Sequence, residues 1–398
     1  MHNNYKGISQ ETSELFKKHY IALPDKEIED SLGKGNDMDL NRFVDEGLRG
    51  TALNFDAVIG STGIISNSSD IIAVRKASGE HSSAASDRFE EMIEERHDSV
   101  VEIKVPDHTE KSLNIMFVNS SKGLASKVKI TVGAEAKLSI LEWYTSINGD
   151  VSFSGIVHRV ETGDGSDVEI NALHSEGYAT VSAYYFNDSI GKNSKLIANS
   201  VYIGGSHVRV RNAFDADARG SSIEVNEVAL GVNAQKFDIM SKISNIGEGT
   251  KAILSSSAVM DGAATCFLKG YAKIHHGAKT AISNIHQEGL LLGKESKIVA
   301  LPDMSIDESD VKASHAASAG PLDEDKMFYM MSRGIGAAGA TGLITAAFLA
   351  KVVSRMRNPV ARELAMSMVL EKIEDGSCER LPKIKSLDIW ASDDKAGK

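Results

Sequence analysis

A repeat of nearly constant period runs through the middle of the chain. Six turns with a form close to G-x-x-[AST] begin at Gly133, Gly163, Gly191, Gly220, Gly249 and Gly277. The spacing from one glycine to the next stays close to about 29 residues, within the range of structural repeats. A fixed period indicates stacked units, because each unit has only one apolar face and must bury it against its neighbours.

The segments between these turns have the composition of strands. From about residue 98 onward, short runs rich in Val, Ile, Ser and Thr alternate with the turns, and no segment has a convincing helical period. This composition excludes helical repeats, and propeller blades need longer units. We therefore predict a parallel β-helix. A further turn at Gly293 follows Gly277 after only about half a period and is predicted to lie at the opposite corner of a coil.

The regions that flank the repeats have a different texture. We predict a mostly β protein in three units: an N-terminal mixed helical lobe (1–95), a β-helix core (96–320) and a C-terminal helical domain (321–398). In the N-terminal lobe, "ISQETSELFKKHYIAL" and "DMDLNRFVDEGLRG" are typical of helices, whereas "AVIGSTGIISNSSDIIAV" is typical of strands.

The C-terminal region contains three candidate helices, "DEDKMFYMMSR", "TGLITAAFLAKVVSRM" and "PVARELAMSMVLEKI", and the last opens with a proline at a favoured first-turn position. It is apolar on one face and rich in methionine. Two interpretations stay open: a small bundle packed on the end of the coil, or a Met-rich groove for a partner helix or domain.

A glycine motif in this region raises the possibility of a dinucleotide site. Gly334, Gly336 and Gly339 have the spacing G-x-G-x-x-G. A dinucleotide fingerprint also requires a buried strand before the motif, an acidic residue about 20 positions beyond it and further βα units, and the sequence provides none of these. The motif is better interpreted as a junction between two helices.

Charge and cysteine content exclude several classes of protein. The net charge is −11, from 44 basic and 55 acidic residues, and no basic run offers a nucleic-acid surface. Cys266 and Cys378 are far apart, which excludes a disulfide framework and a four-thiolate metal site and fits a reducing cytoplasm. The N-terminus lacks the apolar core of a secretion signal. We therefore expect a cytoplasmic protein without a membrane or nucleic-acid partner.

Histidines are the most plausible metal-binding residues among the ionisable side chains of the chain. If the period of the repeat holds through this region, His286 and His315 lie at equivalent positions on neighbouring strands about 4.8 Å apart, where they could share a metal ion or a proton. The alternative is that both are simply solvated. His275, His276 and Asp303 form a second candidate set. We identify no catalytic residues, since no nucleophile elbow or phosphate-binding loop occurs.

The segment "ASHAASAGPLDEDKMFYMMSRGI", Ala313 to Ile335, resembles the C-terminal signature of the SufB/SufD family of iron-sulfur cluster assembly proteins. That signature combines a Ser-His-x-Ala-[Thr/Ser] element with Gly-x-[Leu/Ile]-[Asp/Glu]-[Asp/Glu], Phe-Tyr and Ser-Arg-Gly-Ile. Two further segments, "KITVGAEAKLSILE" and "GLLLGKESKIVALPDMSI", are also similar to the family. The resemblance spans about residues 98 to 373.

The resemblance implies a right-handed parallel β-helix flanked by an N-terminal helical region and a C-terminal helical domain. It also implies that the C-terminal helices dock onto SufC, an ABC-type ATPase, and that two SufB/SufD subunits pair edge to edge. Movement of SufC driven by ATP would then reshape the pair so that a nascent cluster can form. We assign partner binding to Phe328, Tyr329, Arg333 and Phe348.

Two positions make the resemblance closer to SufD than to SufB. SufB-like chains carry a glutamate after the signature histidine and a cysteine before the "LLLG"-like segment, where this chain has Ala316 and the region of Gln287. The family implies that His315 takes part in iron supply or cluster assembly. Ala313 replaces a cysteine of SufD-like chains, and Gly336, Ala337 and Ala338 replace acidic residues of the family.

The expected function is that of a non-catalytic scaffold subunit of a SufBCD-type complex. The chain would bind a SufC-type ATPase and either a SufB-like subunit or itself as a dimer. It would hold no cofactor stably, although iron or an iron-sulfur cluster could lie transiently at the subunit interface. Two alternatives remain: a stand-alone β-helix carbohydrate-active enzyme, and a structural homodimer without metal.

Overall fold

The protein is a two-sided parallel β-solenoid. The computed structural model describes residues 55–60, 63–66, 71–76, 87–120, 123–146 and 151–375. Successive strands alternate between two sheets, which we call sheet 1 (β2, β1, then odd-numbered strands from β5 to β19) and sheet 2 (β3, then even-numbered strands from β4 to β18). Strands of neighbouring coils pair in parallel. The predicted parallel β-helix is confirmed.

The strand bounds are as follows: β1 Ala57–Gly60, β2 Gly63–Ser66, β3 Ile72–Lys76, β4 Ser99–Val105, β5 Glu110–Asn119, β6 Leu124–Val132, β7 Lys137–Ser146, β8 Ser152–Thr162, β9 Asp167–Ser175, β10 Thr180–Ile190, β11 Lys195–Tyr202, β12 His207–Ala216, β13 Ser222–Gly231, β14 Lys236–Asn245, β15 Lys251–Met260, β16 Thr265–Ile274, β17 Ile282–Leu291, β18 Lys297–Ile306 and β19 Lys312–Pro321. The helices are α1 Arg88–Arg96, α2 Glu324–Ser332, α3 Ala337–Val353 and α4 Pro359–Asp375.

The six repeated glycine turns all lie at the corner where the chain passes from sheet 2 to sheet 1. Gly293 lies between β17 and β18, at the opposite corner, as predicted. The six glycines do not all occupy the same position of the turn. Gly133, Gly163 and Gly191 directly follow their strands, whereas Gly220 and Gly249 are the fourth residue after theirs, with φ of 72° and 69°. Gly277 is the third residue of a longer turn and has φ of 91°. Glycine adopts this left-handed conformation without steric cost.

The main core lies between the two sheets. Side chains alternate along each strand, so every second residue faces the interior. An aromatic ladder on four coils of sheet 1 illustrates the regular register: Phe117, Tyr144, His174 and Tyr202 are partners on successive strands. The Tyr144 and His174 rings stack with centroids 4.5 Å apart. Stacking each coil on the next therefore buries one continuous core, as the repeat period predicted.

Helices cover apolar patches on the outer faces of both sheets. Helix α1 was not predicted, although its signals are local: the Asp87 carboxylate caps it by accepting hydrogen bonds from two backbone N–H groups. Its residues Phe89 and Ile93 pack on sheet 2 against Phe153 and Val157. The helix has only nine residues and a mostly polar sequence, so its apolar residues are too few to show a helical period.

The three predicted C-terminal helices are confirmed, but α3 and α4 do not pack on the end of the coil, which was one of the two arrangements considered from the sequence. Helices α3 and α4 lie along the outer face of sheet 1, where Leu349 and Leu364 join one apolar cluster with Trp143, Leu173 and Val228. The reason is that sheet 1 is apolar on its outer face as well, so it must be covered.

The glycine motif lies at a helix junction, as predicted. Gly334 follows α2 with φ of 89°, and Gly336 is the N-cap of α3. The preceding element is helix α2 rather than a buried strand. None of the helices in the described ranges is long and apolar enough to span a bilayer.

The two N-terminal segments predicted as helices lie outside the described residues. The strand prediction for "AVIGSTGIISNSSDIIAV" is confirmed by β1 and β2 and by β3, which begins within this segment at Ile72. These strands extend the coil sheets: β1 pairs with β5, and β3 pairs antiparallel with β4. The exact division into domains at residues 95 and 320 stays a prediction.

The two ends of the solenoid differ. Antiparallel strands β2 and β3 occupy the first end of the two sheets. At the other end, β18 and β19 are the outermost strands of their sheets within the described chain. All of β19 except Gly320 is exposed, so the interior of the solenoid is uncovered there. We refer to this region, Lys297–Ile306 and Lys312–Pro321, as the open end.

Candidate interaction and metal site at the open end of the solenoid

Strand β19 presents one free edge. It pairs with β17 from Lys312 to Pro321, and the structure as described places no strand on its other side. Between Lys312 and Asp323 the sequence contains neither a carboxylate nor a lysine or arginine. Exposed edge strands usually carry charges, prolines or bulges that prevent pairing with another chain. In β19 the charged residue is Lys312 at its start and the proline is Pro321 at its end. The middle of the strand is therefore suited to pairing with a further strand.

His315 lies in the middle of this edge strand. Its register partner is Ile285, whose side chain belongs to the interior core. His315 therefore points toward the interior side of sheet 1, but it is exposed because no further coil covers it in the described part of the chain. Its imidazole is accessible to a ligand or to a second subunit that covers the open end.

The expected equivalence of His286 and His315 is wrong. Ile282 at the start of β17 pairs with Lys312 at the start of β19, and in this register His286 pairs with Ala316. The offset between these two strands is therefore one position longer than the period we assumed. Because side chains alternate between faces, this extra position puts the two imidazoles on opposite faces of sheet 1. They cannot share one ion within this chain, and their assignment as metal ligands stays a prediction for each residue separately.

His286 belongs to a polar cluster on the outer face. Its Nε2 lies 3.1 Å from Glu288 Oε1, and Lys351 Nζ of α3 lies 3.3 Å from Glu288 Oε2. Burial tends to raise the pKa of Glu288, but hydrogen bonds from His286 and Lys351 outweigh it and hold that pKa below its ordinary value. The cluster connects helix α3 to the strand next to β19.

The second candidate set does not gather around His315. His275 and His276 follow the end of β16 at the corner before β17, whereas Asp303 lies within β18 opposite Tyr271, on the outer face of sheet 2. Across the described ranges, His, Cys, Asp and Glu side chains form no group of three or more with the geometry of a metal site. Any iron at His315 therefore needs further ligands from outside this part of the chain.

A second surface follows directly after β19. Helix α2 has no buried residue, and Phe328, Tyr329 and Met331 are 76%, 59% and 49% exposed. The guanidinium of Arg333 lies over the Tyr329 ring at 5.3 Å from its centroid. Together, Phe328, Tyr329, Met331 and Arg333 form what we call the α2 surface. Large exposed apolar patches of this kind are typical of protein interaction sites.

One of the four predicted partner-binding residues lies elsewhere. Phe348 is half-buried on α3, packed against the cluster on the outer face of sheet 1. Lys351 Nζ lies 5.2 Å from the centroid of its ring. Leu343, which the sequence reasoning missed, is the exposed large apolar residue of α3 at 53%. Its exposure could have been predicted from helical spacing, since Leu343 falls on the side of α3 opposite the residues that face the sheet.

Sequence reasoning also missed the polar contacts that fasten the helical region to the coil. The Arg357 guanidinium donates two hydrogen bonds of 2.8 Å to the Asp167 carboxylate. The backbone N–H groups of Arg357 and Asn358 donate to Glu169. At the other end of α4, Lys372 is 1% exposed, and its Nζ donates to the carbonyl oxygens of Ile203 and Leu230 and to Gln235 Oε1.

The interior contains a buried ionisable group that no motif indicated. His158 Nε2 lies 3.2 Å from Glu142 Oε1, and His158 Nδ1 lies 3.8 Å from Asp188 Oδ1. Burial alone would lower the pKa of His158, but the two carboxyl groups outweigh it and raise the pKa to about 10. The imidazolium therefore stays charged inside the core at neutral pH.

Comparison with known proteins connects these features to one family. Residues 116–348, more than half of the chain, match the family model described as "SUF system FeS cluster assembly, SufBD core domain". The chain is 26% identical over 273 residues to the iron-sulfur cluster assembly protein SufD of Bacillus subtilis, a match that covers 67% of this chain and 62% of that protein, less than two thirds of its length.

Two further relatives agree with this match. SufD of Escherichia coli is 21% identical over 300 residues, which cover 73% of this chain and 70% of that protein. An iron-sulfur cluster assembly SufBD family protein of Pyrococcus horikoshii is 26% identical over 182 residues, 46% of this chain and 39% of that protein. The region matched by the family model contains most of the coils, the edge strand with His315 and the α2 surface. This chain belongs to the SufB/SufD family of iron-sulfur cluster assembly proteins.

Proposed function

We propose that this chain is a non-catalytic scaffold subunit for iron-sulfur cluster assembly, which pairs with a second subunit through its open end. The observation that carries this proposal is the uncovered edge strand β19, with His315 exposed on the side that faces the interior of the coil. The family match favours an assembly protein over the carbohydrate-active enzyme considered from the sequence.

The partner at the open end is a SufB-like subunit or a second copy of this chain. A strand of the partner would continue sheet 1 by main-chain hydrogen bonds to the free edge of β19. The short side chains of Ala313, Ala317 and Ala319 would allow close approach. Pairing would also cover the interior side of His315, and the partner would supply the further ligands that the described part of this chain lacks.

His315 would contact iron or a nascent cluster as cargo at this interface. Neutral imidazole is a suitable ligand for Fe(II), but one imidazole binds it weakly without carboxylate or thiolate ligands from the other subunit. The chain by itself would therefore bind iron only weakly.

The SufC-type ATPase would dock on the α2 surface. Aromatic side chains and arginine often dominate the binding energy at protein interfaces. Phe328, Tyr329 and Arg333 present two aromatic rings and a guanidinium in one place. Because α2 follows β19 directly, the ATPase would bind next to the strand that carries His315.

Co-purification tests the docking assignment. Tagged wild-type chain should retain the SufC-type ATPase of the same organism, and the double variant Phe328→Ala/Tyr329→Ala should lose most of it while keeping the same thermal stability, because neither side chain is buried. Leu370→Ala is the matched control, since Leu370 is an exposed apolar residue, at 43%, on a different helix. Equal retention of the ATPase by wild type and by the double variant would contradict the assignment.

A further inference from the structure

Polar side chains form a column inside the solenoid. On sheet 1, Ser200, Glu227, Ser256 and Gln287 are register partners on four successive strands, and all face the interior. On sheet 2, Asn212, Ser241 and Gly270 form the corresponding series. We call these seven residues the polar column. Most of the remaining interior positions carry aliphatic or aromatic side chains.

Glu227 is the ionisable member of the column. Its side chain is buried, and its carboxylate joins the two sheets: Oε1 accepts hydrogen bonds from Asn212 Nδ2 at 2.9 Å and from Ser241 Oγ, and Oε2 accepts from Ser256 Oγ at 2.8 Å. Burial raises the pKa of Glu227 above its ordinary value, although these three hydrogen bonds oppose the shift. Glu227 is therefore able to hold a proton inside the core.

Two amide oxygens of the column lack partners. Asn212 Oδ1 and Gln287 Oε1 are buried and accept no hydrogen bond from the described part of the chain. Proteins satisfy buried polar atoms of this kind with internal water. The space between Gly270 and Gln287 is too small for a larger side chain at position 270. A Cβ atom on Gly270 would lie 3.2 Å from Gln287 Nε2 and 2.9 Å from Ile285 Cγ2.

The column is closed by apolar residues at one end, and at the other end only the exposed strand β19 separates it from the open end of the solenoid. The next register partners on the inner side are Ala172 and Phe186, which are apolar and buried. On the outer side, Gln287 pairs with Ala317 of the exposed strand β19. Glu227 is three strands from β19, or about 14 Å at the usual strand spacing. Ala317 is on the same face as His315, two positions along the strand.

We propose that the polar column is a hydrated proton path that connects Glu227 with the open end of the solenoid. Glu227 takes up a proton from hydronium at the open end, where a water molecule is left, as its carboxylate becomes a carboxylic acid, and it returns the proton by the reverse step. Ser256 and a water molecule held by Gln287 relay the proton between Glu227 and the open end. The path leads to the face where His315 lies, and this link to the assembly site rests on the proposed function, whereas the path itself does not.

Infrared spectroscopy of the chain alone tests the path. The difference between wild type and Glu227→Gln, at a pH where Glu227 is protonated, identifies the carbonyl stretch of its carboxylic acid. On transfer to heavy water, the wild-type band should shift at least about tenfold faster than the amide groups of the interior strands exchange, because water reaches the carboxyl without global opening. Gln287→Leu should slow the shift about tenfold or more.

Asn284→Leu is the matched control, because it removes an amide from the same strand but on the outer face, and it should leave the rate unchanged. The proposal is overturned if the wild-type carboxyl exchanges only as slowly as the interior amides. It is also overturned if Gln287→Leu exchanges at the wild-type rate, as Asn284→Leu is expected to do. Should Gln287→Leu fail to fold, the wild-type comparison still decides. The test requires no partner, so its outcome is independent of ATPase docking.

Discussion

His315 lies opposite Ile285, and not opposite His286, on the neighbouring strand of sheet 1. His315 is therefore on the interior side of the sheet, whereas His286 is on the outer side, where it contacts Glu288. This shift by a single position decides which histidine can meet a second subunit that covers the open end.

If the proposed complex with a SufB-like subunit forms, His315→Ala should weaken the binding of Fe(II) to it by about tenfold or more, because the proposed imidazole ligand is lost. His286→Ala should leave iron binding at the open end unchanged, because that imidazole is on the opposite face of sheet 1. Titration of the anaerobic complex with Fe(II) measures both. Equal iron affinity in wild type and His315→Ala would remove His315 from the site.

Lys372→Met should lower the free energy of unfolding by about 2–4 kcal/mol, because two backbone carbonyls and the Gln235 side chain lose a buried charged donor. Lys351→Met should cost at most about 1 kcal/mol, since Lys351 is largely exposed and pairs with Glu288 at the surface. Urea denaturation of the two variants measures the difference. Similar costs for both would show that Lys372 does not fasten helix α4 to the coil.

Glu176→Gln should change how stability depends on pH. Burial raises the pKa of Glu176 to about 8, and Tyr184 donates a hydrogen bond to its carboxyl group. Between pH 4.5 and 8 the unfolded chain loses this proton while the folded chain keeps it, so the free energy of unfolding falls as pH rises, by roughly 1 kcal/mol per pH unit. The variant should lack this part of the decline. Parallel pH profiles of stability in wild type and variant would contradict the assignment.

His158→Gln should affect a higher pH range. Its folded pKa of about 10 lies above the ordinary value of 6.5, so its pairing with Glu142 and Asp188 contributes stability that is fully present below pH 6.5 and is lost as pH rises toward 10. The variant should be less stable than wild type at pH 6, and the difference should shrink by pH 10. His108→Gln is the control, because His108 pairs with Glu135 on the exposed surface. A difference that does not vary with pH would exclude a buried imidazolium.

Much of the architecture could be predicted from local sequence signals. The glycine turns predicted the corner of each coil, because only particular backbone conformations close it, and strand composition between the turns excluded helical repeats. The C-terminal helices were predicted from their apolar period and from Pro359. Phe328, Tyr329 and Arg333 of the α2 surface were assigned to partner binding only through the family resemblance. The sequence by itself does not show whether these side chains are exposed.

The chain's own sequence thus determined the coil, its period, the order of its helices and its place in the SufB/SufD family, because these depend on local conformation and on short motifs. Only the tertiary structure decided the register. Lys195 pairs with Ser222 on the next coil, whereas Lys251 pairs with Ile282, so the offset between neighbouring coils is not constant along sheet 1. A change of a single position reverses the face of every side chain that follows. The separation of His286 from His315 and the polar column around Glu227 both depend on this register, which turn lengths and packing between distant residues set together.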